Sequence, residues 1–378
     1  MTPSNIRVII TITLSLLLSA QAAQRLSAQV KIDTTTVQPM SWKEAQIQRK
    51  YEWYITRQAR MVADSIVHYQ MPSGGWCKNQ DWGLGPDTAY MHECMTTGIG
   101  STIDNGATTQ ELTFLAKMYY YTNIIDYRIA FLKGLDYLLR MQYENGGWPQ
   151  YYPTRGEGHY SNHITFNDNA MIHVMRFLHE VADDVEPYDM LFLRKEQKDQ
   201  CRAAYEKGIQ CILKCQIRTE NGLTVWCQQH DENTLKPAQG RIYELPSFCG
   251  TIETCEIINE LLAQPNPSED IILAIDGAIR WLENHKITGL RLMKFTDAEG
   301  QKDARLEEDS QAPALWARMY DLINGEPIFC GRDGIPRKKL SEIDQERRTG
   351  YQWYSTKPQQ LIDRHAAWEE QILGNYLY

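Results

Sequence analysis

The sequence lacks an excess of basic residues, long apolar runs beyond its first residues, and clear strand-like alternation. Its 39 Lys and Arg residues against 48 Asp and Glu residues give a net charge of −9. Because nucleic-acid-binding proteins normally carry a basic face, we expect no nucleic-acid partner. Hydrophobic residues make up 43% and charged residues 23% of the 378 residues, which excludes a disordered chain and a membrane protein.

The one apolar stretch lies at the amino terminus. Arg7 precedes an apolar run of 11 residues from Val8 to Leu18, which is too short to span a bilayer. Ala20 and Ala22 then form a small-residue cleavage pattern. We therefore predict a signal peptide at residues 1–22, an unstructured lead at 23–40, and a secreted or periplasmic protein with no stable membrane insertion after signal removal; a membrane anchor is the alternative.

Cysteine is sparse for a disulfide-stabilised scaffold, although nine cysteines are present. An odd number leaves at least one free thiol. Cys77 and Cys94 flank a glycine-rich loop and are the first candidates for a disulfide. A second set, comprising Cys211, Cys215, Cys227 and His230, has a spacing that zinc could use, but small buried thiols explain the same pattern.

A phrase that ends in tryptophan recurs along the chain. QMPSGGW at residues 70–76 returns as QYENGGW at 142–148 and, in degenerate form, as QIRTENGLTVW at 216–226. The tryptophans are separated by 72 and then 78 residues. Apolar residues at helical spacing precede the second copy, and we expect its glycine pair to end that helix. Such long-period repeats are typical of stacked helical units.

A second helix is predicted after each loop, starting near Thr108, Asn169 and Ile252. Each unit is then a helix, a loop with tryptophan, an acidic loop and another helix. One helix pair cannot bury its own apolar face, so repeated pairs stack into a ring or toroid. We predict one all-α domain over residues 41–378, with a local hairpin arm at 223–228 as the one strand-like element.

Three loops of the predicted ring carry polar clusters, at residues 101–109, 163–169 and 240–247. Asp, Asn, Ser and Thr are also the preferred residues for helix capping. The recurrence favours a functional interpretation, because Asp104 and Asp168 occupy equivalent places in successive units and should face the same rim. Two carboxylates among Asn and Thr oxygens form a hard-oxygen set suited to Ca²⁺. The same pair could instead be the acid and base of a glycoside hydrolase.

With these loops identified, the chain resembles the pectate lyases of polysaccharide lyase family ten. The segments that carry the resemblance are GGWCKN (74–79), TIDNGAT (102–108), GGWPQ (146–150), TFNDNAM (165–171), RIYELPS (241–247), LWARMY (315–320) and GRDG (331–334). They cover nearly the whole chain after the signal, in order. Gly240 departs from the family, in which alanine is more usual.

The resemblance implies an (α/α)₃ toroid that cleaves polygalacturonate, the demethylated form of pectin, by Ca²⁺-assisted β-elimination. It implies that Asp104 and Asp168 contact the calcium ion and the substrate carboxylate, with Arg241 as the Brønsted base. It further implies that substrate is bound by Arg318, Arg332, Asn105, Thr109 and Lys78. We expect a monomer.

The chemistry is demanding because an arginine must accept a proton. Deprotonating an unperturbed arginine at pH 7 costs about 7 kcal/mol, and roughly 3 kcal/mol at pH 10. We therefore expect activity to depend on Ca²⁺ and to rise at alkaline pH. Three other classes stay open: a hydrolase with Asp104 and Asp168 as acid and base, a non-catalytic carbohydrate-binding protein, and a terpenoid cyclase, which the lack of an aspartate-rich motif disfavours.

Overall fold

The computed structural model describes residues 37–376, and this part of the chain is about 47% helical with twelve α-helices. The predicted signal peptide and most of the predicted lead lie outside the described residues. In chain order the helices are α1 Trp42–Gln46, α2 Tyr51–Tyr54, α3 Arg57–His68, α4 Thr88–Thr96, α5 Thr109–Thr122, α6 Ile125–Arg140, α7 Ala170–Ala182, α8 Lys195–Cys215, α9 Ile252–Leu262, α10 Glu269–Asn284, α11 Gln345–Gly350 and α12 Pro358–Tyr376.

The long helices pack as two rows. In one row α3, α6, α8 and α10 contact each other in succession, and in the other row α5, α7, α9 and α12 do the same. Contacts between the rows are most extensive where α5 packs on α6 and α7 on α8. The helix-pair architecture predicted from the repeat is therefore present, and no closed barrel of strands occurs among the described residues.

The three helices predicted after the loops are confirmed as α5, α7 and α9, each beginning within a residue of the predicted start. Their apolar faces point into one core, where Leu112, Met175 and Ile258 have no exposed surface. Burying each such side chain contributes roughly 1.5–3 kcal/mol relative to leaving it in water. This packing fixes the starts of these helices, and with them the polar loops just before.

The recurring phrase joins each helix of the first row to the next. In its second copy the indole N–H of Trp148 donates to the carbonyl oxygen of Leu138 at 2.9 Å, near the end of α6. The side-chain amide of Gln142 donates to the carbonyl oxygens of Gly146 at 3.0 Å and of Ala204, in α8, at 2.8 Å. The copies around Gln70 and Trp76, and around Gln216 and Trp226, make the same bonds.

The prediction that the glycine pair ends the preceding helix is wrong. Helix α6 ends at Arg140, well before Gly146. Gly146 has φ +93°, and a Cβ atom there would lie 2.1 Å from the carbonyl oxygen of Lys207. The glycine is therefore needed for close approach to α8, while the Trp148 indole satisfies a carbonyl of the last turn of α6.

Short strands connect successive units, so the all-α prediction holds only in part. The fourteen strands are β1 Ser101–Thr102, β2 Tyr151–Tyr152, β3 Ile164–Thr165, β4 Arg218–Thr219, β5 Gly222–Leu223, β6 Gln229–His230, β7 Phe248–Cys249, β8 Leu290–Thr296, β9 Lys302–Glu308, β10 Trp316–Ala317, β11 Met319–Tyr320, β12 Phe329–Cys330, β13 Pro336–Arg337 and β14 Tyr354–Ser355. Each of β1, β3 and β7 pairs antiparallel with a strand that follows the next unit's tryptophan, namely β2, β6 and β11. This pairing holds the polar loops of neighbouring units side by side.

Two strand regions differ from prediction. The hairpin arm expected at 223–228 is shorter and begins earlier, as the pair β4–β5. The sequence analysis missed the hairpin of β8 and β9, whose seven-residue strands pair from Leu290 with Glu308 to Thr296 with Lys302. Arg348 of α11 donates to the carboxylate of Asp303 in β9 at 2.7 Å, which ties this hairpin to the rest of the chain.

The cysteines are all buried free thiols, so the predicted disulfide between Cys77 and Cys94 is not formed. The alternative zinc set is not supported either. Within the described residues, groups of three metal-ligating side chains occur only at His163, Asp231 and Glu232 and at Asp276, His365 and Glu369. Small buried thiols are the better explanation of the cysteine pattern. Across residues 37–376, no helix combines the length and the apolar character that crossing a bilayer requires.

Candidate active site

Two turns with the same backbone conformation precede α5 and α7. The 3₁₀ turn Asp104–Gly106 has Asn105 at φ 54°, ψ 27°, and the turn Asn167–Asn169 has Asp168 at φ 52°, ψ 26°. Asn and Asp are the residues other than Gly that adopt this left-handed region most readily. The two turns contact each other, as expected from the strand pairing of successive units.

The expectation that Asp104 and Asp168 occupy equivalent places is wrong by one residue. The backbone matches Asn105 with Asp168, and therefore Asp104 with Asn167. The acid and the amide have exchanged positions between the two units. The two carboxylates consequently reach the site from different points of their turns.

Asp104 is paired with the lysine that follows the first tryptophan phrase. Lys78 Nζ lies 2.5 Å from Asp104 Oδ2, and the Asp104 residue is only 6% exposed. Burial acts to lower the pKa of Lys78, but the charge of Asp104 and its hydrogen bond outweigh burial and raise this pKa. Asn105 donates from Nδ2 to Asn79 Oδ1 at 2.9 Å, so both predicted residues of this turn contact the segment 78–79.

Asp168 faces a buried arginine. Arg318, 6% exposed, lies 3.5 Å from Asp168 Oδ1 and donates to Glu253 and to Asn167 Oδ1. The Arg318 guanidinium also lies 4.2 Å from the ring centre of Tyr351. Burial acts to raise the pKa of Glu253, but the Arg318 charge and several hydrogen bonds hold this pKa below its usual range.

Arg241 is held by the acid three residues after it. The backbone N–H of Arg241 donates to Glu244 Oε2 at 2.8 Å, and its Nε donates to Oε1 at 2.9 Å. A terminal guanidinium nitrogen makes a further ion pair with the same carboxylate. Burial acts to lower the pKa of Arg241, but the bond and charge of Glu244 outweigh it and raise this pKa above its usual value. The Arg241 side chain stays 38% exposed and so can reach a bound molecule.

Asp168 lies among several charged side chains that shift its pKa in opposite directions. Burial raises the pKa of Asp168, and the negative charges of Glu253 and Asp104 raise it further. The positive charges of Arg318 and Arg241 act on the same carboxyl in the opposite direction. The charges of Asp104, Arg241 and Arg318 therefore all act on Asp168.

Two other predicted residues lie farther out. Arg332 is exposed, pairs with Glu346 at 2.9 Å, and lies 5.8 Å from the ring centre of Tyr243, the neighbour of Arg241. Thr109 is buried, donates to the Gly106 carbonyl oxygen at 3.0 Å, and lines a separate cavity of about 280 Å³ between helices. The structure thus brings Arg332 to the edge of the site and turns Thr109 away from it.

Three residues of the site were missed by the sequence analysis: Glu244, Glu253 and Tyr351. Glu253 had a detectable signal, because it falls four residues before Ile257 on the apolar face of α9, and a carboxylate on such a face needs a partner. Glu244 and Tyr351 carry no comparable signal, since their roles depend on contacts that only the folded chain defines.

Comparisons with known proteins give a matching family profile and similar solved structures. A family profile described as pectic acid lyase matches residues 70–362. Two solved structures of the family 10 polysaccharide lyase from Cellvibrio cellulosa superpose with a TM-score of 0.69 and 29% identity, covering 85% of this chain and 93% of theirs. One of them is a mutant in complex with trigalacturonic acid. Comparison with the curated proteins gives no match.

Proposed function

Because the chain belongs to the pectic acid lyase family and is a pectate lyase, we propose that it cleaves polygalacturonate by β-elimination with Arg241 as the base. The observation that carries this proposal is geometric: the turns of Asp104 and Asp168 are in contact, Arg318 lies 3.5 Å from Asp168, and the packed rings of Tyr243 and Tyr351 connect Arg241 to Arg318. Asp104 and Asp168 offer oxygen ligands to a metal ion, and Arg241 and Arg318 offer positive charges to an acidic sugar. The similar structure with bound trigalacturonic acid supports the same substrate class.

In the proposed reaction the Arg241 guanidine removes the proton from C5 of a galacturonate unit. The electron pair of that C–H bond forms a C4=C5 double bond while the C4–O bond to the neighbouring unit breaks. Negative charge builds up on the uronate carboxylate during this step. Arg318 and Arg332 bind such carboxylates, and stabilising the developing charge lowers the barrier.

We propose Asp104 and Asp168 as the protein ligands of a calcium ion. The buried side-chain oxygen of Asn169, next to Asp168 in the chain, has no hydrogen-bond partner, which fits a hard-oxygen donor set. No third acid joins the two aspartates as a metal-ligating group in the described residues, so we propose that oxygens of substrate, water or neutral side chains complete the coordination. When bound, Ca²⁺ supplies positive charge that neutralises the uronate carboxylate and makes the C5 proton more acidic.

The base needs alkaline conditions. The ion pair with Glu244 raises the pKa of Arg241, so a neutral guanidine is scarce at pH 7. Positive charges nearby act to lower the pKa of Arg241. The charge of Arg332 is one of them, because the two guanidinium groups repel each other. We therefore propose that activity increases as the pH rises above neutrality.

The remaining parts of the proposal concern the molecule as a whole. We propose that the two rows of helices close into an (α/α)₃ toroid with one catalytic domain over residues 41–378. We also propose that the chain acts as a monomer and is secreted or periplasmic after removal of residues 1–22.

The decisive experiment follows ultraviolet absorbance while residues 23–378 act on polygalacturonate. The proposal expects a rise from the unsaturated product, which a chelator abolishes and added Ca²⁺ restores. New reducing ends without a rise in absorbance would instead identify a hydrolase. Substrate binding with no product would identify a carbohydrate-binding protein.

A further inference from the structure

An arginine that makes no ion pair with any acid among residues 37–376 lies beside the site, in the loop after β2. The backbone N–H of Arg155 donates to Asn162 Oδ1 at 2.9 Å, and Asn162 Nδ2 donates back to the Arg155 carbonyl oxygen at 3.0 Å. Asn162 is only 6% exposed, and its own carbonyl oxygen accepts a bond from the Tyr143 hydroxyl at 2.7 Å. The loop therefore holds Arg155 in a defined place before any ligand binds.

The side chain of Arg155 has a charge that nothing in the described residues neutralises. Its guanidinium lies 4.0 Å from the ring centre of Tyr151, and it makes no ion pair among residues 37–376. Its buried Nε has no hydrogen-bond partner. In contrast, Arg241 and Arg318 each pair with a glutamate of the site. A partly buried guanidinium without an anion is suited to take a carboxylate from a ligand.

Tyr151 links Arg155 to the proposed calcium ligands. The ring centre of Tyr151 lies 5.9 Å from Lys78 Nζ, and that ammonium lies 2.5 Å from Asp104. Tyr160 lies close enough that the charges of Arg241 and Lys78 both act on its hydroxyl. Arg155, Tyr151 and Tyr160 therefore form a strip that continues outward from Arg241 and Asp104.

We propose that Arg155, with the half-buried Tyr160, forms an outer subsite for the carboxylate of a further galacturonate unit. This rests on the proposed function, because only an acidic polysaccharide brings a carboxylate with every unit. Tyr160 offers part of its ring to the C–H face of the sugar, while Arg155, held against the buried ring of Tyr151, supplies the charge. The subsite adds affinity for long chains and leaves the chemical step at Arg241 unchanged.

The test compares a short and a long substrate. For Arg155→Ala, we expect KM for polygalacturonate to rise about tenfold, as for the loss of one charge-assisted hydrogen bond, with kcat unchanged. Kinetics on trigalacturonate should stay at the wild-type level. Arg155→Met, which keeps bulk against Tyr151, should give the same result. The control is Arg305→Ala, which removes an exposed arginine paired with Glu307 in the β8–β9 hairpin.

Two results would overturn the subsite. One is an unchanged KM for polygalacturonate in both Arg155 variants. The other is an equal loss on trigalacturonate and polygalacturonate in variants whose melting temperature matches that of the wild type. A wild-type enzyme that forms no unsaturated product from either substrate would contradict the proposed function itself, so the two failures are distinguishable.

Discussion

Arg241 is held by an acid that has two opposite effects on it. Glu244 fixes Arg241 through three contacts to one buried carboxylate, two from the guanidinium and one from the backbone N–H, and such orientation favours reaction. The same negative charge raises the pKa of Arg241 and makes the neutral base scarcer. At the scale of the residue, the proposed base is therefore well oriented but held in an unfavourable protonation state.

Replacing Glu244 should separate these two effects. In Glu244→Gln the negative charge is gone, so the pKa of Arg241 falls and the alkaline rise of kcat moves to lower pH. The maximal kcat should fall about tenfold or more, because a neutral amide orients the guanidinium less firmly. The measurement is a pH profile of kcat, and an unshifted profile would contradict the role given to Glu244.

Arg241 itself should not tolerate lysine. Lysine cannot reproduce the planar contacts to Glu244, and its ammonium would be placed differently. We expect Arg241→Lys to lower kcat about a hundredfold or more, within the usual range for loss of a general base, with a small change in KM. Arg305→Lys is the matched control. Substantial turnover by Arg241→Ala would show that another group accepts the proton.

Arg318 should matter for stability as well as for activity. Arg318→Ala leaves the buried carboxylate of Glu253 without its cation, which typically costs about 3–5 kcal/mol. Because the pair lowers the pKa of Glu253, its contribution is present above the ordinary carboxyl pKa and is lost as the pH falls through the folded pKa. Urea unfolding should show that Arg318→Ala greatly lowers the free energy of unfolding at pH 7, and that this difference from the wild type becomes smaller in acid. The exposed Arg332→Ala should show no measurable loss at either pH.

At the scale of the elements, the tryptophan phrase spaces the helices of the first row. The side-chain amide of its glutamine donates hydrogen bonds to its own loop and to the next helix of the row. The indole of its tryptophan donates to a carbonyl oxygen of the preceding helix. Trp316 repeats the indole bond, donating to the Leu282 carbonyl oxygen at 2.8 Å near the end of α10. The repeat therefore extends to a fourth unit.

The glycine of this phrase should be far more sensitive than other loop glycines. In Gly146→Ala the new Cβ meets the Lys207 carbonyl oxygen, and the backbone stays in a left-handed conformation. We therefore expect the free energy of unfolding to fall by more than about 1 kcal/mol. Gly156→Ala is the control, because its Cβ would meet no atom within 4 Å. Equal free energies of unfolding for both variants would contradict the close-approach explanation.

The helices could be predicted because their apolar periodicity is local. The β8–β9 hairpin was missed because its strands carry many charged side chains and are only partly buried, so they show no strong alternation. The offset between Asp104 and Asp168 was missed because matching acid to acid ignores the backbone, which places Asn105 opposite Asp168.

The residues of the candidate site were also predictable only in part. The motif residues Asp104, Asp168, Arg241 and Arg318 could be selected from the chain. Their partners Glu253 and Tyr351 come from segments far away in sequence, and only tertiary packing brings them to Arg318. The sequence thus predicted the candidate groups but not the contacts that set their charge states.

At the scale of the whole molecule, the nine thiols should be protected by burial. Burial raises the pKa of Cys201 to about 12, and it also raises the pKa values of Cys77 and Cys255. Since the thiolate is the reactive form, a thiol reagent such as DTNB should not react with the native protein. After unfolding without reductant it should titrate all nine cysteines. A count of seven would indicate that a disulfide forms during secretion.

The contact between Lys78 and Asp104 gives the resting enzyme an internal counterion. The ammonium occupies a carboxylate oxygen that a divalent ion would otherwise coordinate. If calcium binds at Asp104 as proposed, it would exchange with this tethered ammonium, and its apparent affinity would include the work of that exchange. The released lysine would then be free to pair with the acidic sugar, which would couple metal binding and substrate binding at a single aspartate.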